Sequence, residues 1–169
     1  YSRELETLKG EQALRREYEV FRDQAALQHL QRQIEELYSP LVGLIQYGDV
    51  VNQVESAKIP PADRSEKTPK IRRYFVEKYY LPLNAQVSDL IRTKIYLLDS
   101  DAIPESFQQF LLHAAQFECL YNMWKDIDED SANIPGIEYP KTFKQEVRSS
   151  LDQLRQTYNE YTKRLNKAI

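Results

Sequence analysis

Two apolar stripes that differ in phase open the chain. Leu14, Tyr18, Phe21 and Ala25 step by 4, 3 and 4 residues; Leu27, Leu30, Ile34, Leu37, Leu41 and Leu44 step by 3, 4, 3, 4 and 3. Either spacing puts apolar side chains on one face of a helix. The spacing predicts one long, charged, coiled-coil-like helix to about Tyr38. The shift between Ala25 and Leu27 rotates its apolar seam, so the first half should face a different partner from the second. Before Leu14 only Leu5 and Leu8 are strongly apolar and Gly10 weakens the helix, so residues 1–13 read as an arm and 14–169 as a single helical domain.

Ser39-Pro40 interrupts the pattern, because a proline disfavours helical geometry in the residue before it. A second helix is predicted from Pro40 to Ala57, with Leu41, Leu44, Ile45, Val51 and Val54 inward. Residues 58–68 read as a loop around Pro60-Pro61, and Thr68-Pro69 as an N-cap with proline in the first turn. A helix from Pro69 to Tyr80 follows, and Pro82 is expected to kink or briefly break it before a run from Leu83 to Leu98.

The most apolar stretch is 104–126, where Phe107, Phe110, Leu111, Ala114, Phe117, Tyr121 and Trp124 recur at three- and four-residue steps. Leu112, Cys119, Leu120 and Met123 extend that surface, so the stretch is expected to be the central helix. Residues 131–140 read as irregular. A last helix, 141–167, carries the cleanest stripe: Phe143, Val147, Leu151, Leu154, Tyr158, Tyr161 and Leu165. The second half of the N-terminal helix is its best internal partner, an arrangement that brings the two chain termini towards one end. The fold class is therefore all-α, a bundle of five or six helices.

Composition narrows the functions. A length of 169 residues suits one domain that needs no staples, and 4 glycines with abundant Glu, Gln, Leu, Lys and Arg favour helix over sheet. The single cysteine, Cys119, excludes an internal disulfide and suits a reducing compartment. A net charge of -3 gives no overall field that would draw nucleic acid or an anionic membrane. No apolar run approaches the roughly 20 residues of a membrane span. The expected location is cytoplasmic, with membrane association only through an anchor preceding Tyr1.

Candidate chemistry is sparse. Asp126, Asp128 and Asp130 alternate as calcium ligands would, but Ser131 and Ile137 stand where such a loop needs glycine and a bidentate glutamate. His113 has no carboxylate or second histidine three or four residues away, and no metal or cofactor is expected. Lys67, Lys70, Arg72, Arg73 and Lys78 surround a predicted helix start, where free N–H groups favour anions; interleaved tyrosines could stack on bases. They are the candidate site for a phosphate-bearing ligand, a nucleotide or RNA. Arg22-Asp23 and His29 form R-D-x5-H, with Arg22 and His29 seven residues apart on one helix face. This spacing resembles the arginine-to-histidine motif of HEPN ribonucleases, all-helical proteins that pair two such motifs across a dimer to cleave RNA. The resemblance implies His29 as acid or base, Arg22 as a stabiliser of phosphate charge and Asp23 as a polar helper. The leading expectation is different: a non-enzymatic interaction or oligomerisation module. Its contact surface would be Leu5, Leu8, Leu14, Tyr18 and Phe21, and its partner another protein or a second copy.

Overall fold

The computed structural model describes residues 1–59, 67–99, 102–127 and 138–168. All regular structure among them is helical: α1 (Ser2–Gln33), α2 (Ser39–Lys58), α3 (Lys67–Phe75), α4 (Leu81–Thr93), α5 (Glu105–Ile127) and α6 (Phe143–Ala168). Single π-helical turns, Ile34–Tyr38 and Val76–Tyr80, join α1 to α2 and α3 to α4, and a short 3₁₀ turn, Ile95–Leu97, follows α4. The described chain thus forms four continuous helices rather than five or six.

Proline explains the difference. Pro40 and Pro82 lack the N–H that would bond the carbonyl four residues back, and their rings crowd that carbonyl. A π turn widens the backbone there by one residue. The Ser39 amide donates to the Ile34 carbonyl and the Leu81 amide to the Val76 carbonyl, and the helix continues. The two junctions share the pattern Tyr-x-Pro-Leu at 38–41 and 80–83, and both leucines, Leu41 and Leu83, are buried.

α6 lies antiparallel to α1, with Asp23 facing Arg164 near one end and Tyr38 bonded to Ser150 near the other. The two stripes of α1 part where their phase changes. Leu30, Leu37 and Leu41 are buried and Leu27 and Ile34 half-buried, whereas every side chain from Tyr1 to Glu19 is exposed. Phe143, Val147, Leu151 and Leu165 of the α6 stripe are buried. The core joins Leu37 and Leu41, with Phe143, Val147 and Leu151, to Ile45 of α2, Val87 and Ile91 of α4, and Phe107 and Phe110 of α5. Phe143 stacks on Phe110 at 4.7 Å and meets Phe107 edge-on at 5.5 Å.

Several expectations change. Val54 is exposed, and half-buried Glu55 is the next inward residue of α2 beyond Val51. α4 stops at Thr93, and it is Leu97 that is buried while Ile95 is exposed. α3 already contains Lys67 and Thr68, so Thr68 lies inside the helix rather than capping it. α5 is less central than its composition suggests: its buried residues are Ser106, Phe107, Phe110 and Ala114, and Leu112 and Cys119 are exposed. The most enclosed side chains are shared between Leu37, Leu41, Ile91, Leu97, Phe110, Phe143 and Val147. The loop expected around Pro60-Pro61 and the irregular stretch 131–137 lie outside the described residues.

Candidate functional site

The N-terminal part of α1 has left the body of the bundle. α6 ends at Ala168, and its antiparallel register with α1 sets that end opposite the region just before Asp23. The exposed stretch of 19 residues projects about 28 Å at the helical rise. Leu14, Tyr18 and Phe21 are 67%, 66% and 70% exposed and share one face with Ala25. That face points away from the body, since Asp23 and Leu30, on the other side, are buried. Leu5 and Leu8 are also exposed, but at 100° per residue they fall on the side of Asp23 and Leu30. The five expected interaction residues therefore form two surfaces, not one.

The second feature is a cavity of about 480 Å³ between α2, the α3–α4 helix and α5. Helical periodicity supplies most of its walls: Ile45, Gly48, Asn52 and Glu55 from α2, Val76, Tyr80, Leu83 and Val87 across the second π turn, and Phe110, His113 and Phe117 from α5, with Tyr139 and Lys144 closing it from the segment that opens α6. At Gly48 a Cβ would stand 2.9 Å from Leu83 Cδ2, so α2 and α4 pass closely there, with the leucine methyl in the space beside the glycine. One end is apolar, built of the core residues Ile45, Val87 and Phe110. The other is polar: the Tyr80 hydroxyl is bonded to the Glu55 carboxylate, and burial, with that bond, raises the phenol well above its ordinary range. Glu55 Oε2 is buried without a hydrogen-bond partner. Exposed Asn52 and Arg72 line the same cavity and open it to solvent.

Two neighbours in the basic set are placed differently. All five residues are exposed, but Arg72 lines the cavity while Arg73, one position on, lies 4.0 Å from the centre of the Trp124 ring as a cation–π cover. Beside it, the Tyr121 hydroxyl and Lys125 hold the Glu77 carboxyl below its usual range.

The residues of the R-D-x5-H motif take separate roles. Arg22 and His29 are exposed, His29 Nε2 lies 3.0 Å from Asp99 Oδ1, and Asp23 is buried against Arg164 at 3.6 Å. Gln33 ties the same region down by donating to the Leu97 carbonyl and Asp99. Asp128 and Asp130 of the acidic turn lie outside the described residues. Among the described residues no cluster of His, Cys, Asp and Glu could hold a metal ion, and no helix is long and apolar enough to cross a membrane. No family model, curated protein or solved structure matches the chain.

Proposed function

We propose that the protein is a non-enzymatic helical interaction module that self-associates through the N-terminal part of α1, forming a short parallel coiled coil with a second copy. The observation that carries this reading is the outward face of Leu14, Tyr18, Phe21 and Ala25 on a helix that has left its own bundle. With Leu14 and Phe21 at d and Tyr18 and Ala25 at a, Glu17 takes a g position and Arg22 the following e position. In a parallel pair those two side chains meet across the seam, opposite in sign and twice by symmetry. Residues 1–22 carry five basic and five acidic side chains (Arg3, Lys9, Arg15, Arg16, Arg22; Glu4, Glu6, Glu11, Glu17, Glu19), so a second copy meets no net repulsion.

A seam of four positions is short, and the expected dimer is concentration-dependent. Light scattering across a size-exclusion peak, run at increasing loading, reads the mass directly. Replacing Leu14, Tyr18 and Phe21 together by Ser should leave a monomer with an unchanged melting temperature. Glu17→Arg should weaken the dimer, and adding Arg22→Glu should restore it. A wild-type chain that stays monomeric at every concentration refutes the reading, and so does a dimer indifferent to the triple substitution.

A further inference from the structure

The cavity between α2, α3–α4 and α5 is built like a ligand site, and nothing in the self-association of α1 uses it. Its volume of about 480 Å³ falls in the range of sites that hold small molecules, roughly 300–1,000 Å³. It has a direction. α2 and α4 run antiparallel, with Gly48 against Leu83 and Glu55 against Tyr80, so an apolar end at Ile45, Val87 and Phe110 grades into a polar end at Glu55 and Tyr80.

The polar end leaves one acceptor unserved. A buried carboxylate oxygen without a hydrogen bond is costly, and native structures seldom leave one so. Glu55 Oε2 is in that position, although the Tyr80 hydroxyl already serves the same carboxylate. Asn84, half-buried on the wall, adds an amide that can donate or accept. Two cations also line the cavity, and both are served: Lys144 is bonded to Asp49, and Arg72 is exposed at the mouth, where water can solvate it, whereas the buried oxygen still needs a donor.

We propose that this cavity binds an amphipathic amine: a compact apolar body seated against Ile45, Val87 and Phe110, with a protonated nitrogen donating to Glu55 Oε2. A charge-assisted N–H···O bond is the interaction that the unpaired oxygen is placed to make.

The test titrates phenethylamine and hexylamine into the full chain by isothermal calorimetry. Phenethyl alcohol and hexanol serve as neutral counterparts, and phenylpropionate and hexanoate as acids. The amines should bind saturably and about tenfold or more tighter than the matched alcohols, as one charge-assisted hydrogen bond requires. Glu55→Gln, which keeps the shape and the acceptor for Tyr80, should lose that advantage while melting like the wild type. Asn84→Phe should abolish binding of the whole series by filling the space, with folding checked by circular dichroism. Alcohols or acids that bind as tightly as the amines overturn the proposal. So does unchanged amine binding in Glu55→Gln, or no heat with any amine at about 5 mM, a concentration that still detects millimolar affinity.

Discussion

Leu14 and Leu37 lie on one unbroken helical path, yet Leu14 is 67% exposed and Leu37 1%. Their side chains are identical and both belong to stripes of helical period, so periodicity alone does not separate them. The difference lies in what the rest of the chain supplies. α6 runs back along α1 only as far as the neighbourhood of Asp23, and covers the seam that contains Leu30 and Leu37. The stripe of Leu14 is rotated away from that seam and extends past its end. A hydrophobic stripe is buried only where another element of the bundle runs alongside it in the same phase.

Truncation on either side of the boundary gives the largest contrast. Leu37→Ala opens a hole in the core that also holds Leu41, Phe107 and Phe143 and should cost about 2–5 kcal/mol in urea denaturation, the range for buried leucines. Leu14→Ala should stay within about 0.5 kcal/mol at a concentration where the chain is monomeric. Comparable losses at both positions would mean that the first turns of α1 pack on the body.

The last point of contact between α1 and α6 gives a smaller, asymmetric effect. Asp23 is buried and Arg164 largely exposed, at 3.6 Å. Arg164→Ala strands a carboxylate against the interface and should cost about 1–3 kcal/mol, the penalty of an unpaired buried charge after partial hydration. Asp23→Ala leaves an arginine that water can solvate, and should cost less, about 1 kcal/mol or below. Melting curves of the two variants and of the double variant decide the order. If Asp23→Ala is the worse of the two, the carboxylate makes contacts beyond this ion pair.

What the sequence made legible follows the same boundary. The α6 stripe and the α1 phase shift were readable because each is a local pattern with one meaning: period 3.6, and a change of its phase. The π turns were not, because a proline inside a helical pattern can end, kink or be absorbed, and absorption depends on packing on both sides of it. Leu41 and Leu83, buried straight after Pro40 and Pro82, hold those two helices together, and the recurrence of Tyr-x-Pro-Leu was the available signal. α5 misled in the opposite sense. Its apolar positions cover most of the helix, but only Ser106, Phe107, Phe110 and Ala114 are buried, since α6 and α4 engage mainly its first half. The cavity was hidden because Glu55, Tyr80 and Phe110 come from three distant segments. Polar Asn52 and Glu55 on the cavity side of α2, and Asn84 beside Leu83 and Val87, were the local hints.

The smallest expected effect tests the opposite, solvent-facing end of the bundle, where α2 meets the start of α6. Asp49 receives hydrogen bonds from Lys144 and Arg148, and the Lys144 bond above all holds its carboxyl below the usual range. A folded-state pKa below the unfolded value means that the native state binds its proton less readily. The stabilisation is therefore complete above about pH 4, the ordinary aspartate value, and is lost as the pH falls through the depressed folded-state value. All three side chains are more than a third exposed, so solvent screening limits the contribution to about 1 kcal/mol or less. Wild type and Asp49→Asn should differ modestly in melting temperature at pH 6, with the gap narrowing below pH 4 and also at high salt. If the gap persisted undiminished even where the folded wild-type carboxyl has taken up its proton, the shape of the Asp49 side chain rather than its charge would join α2 to α6.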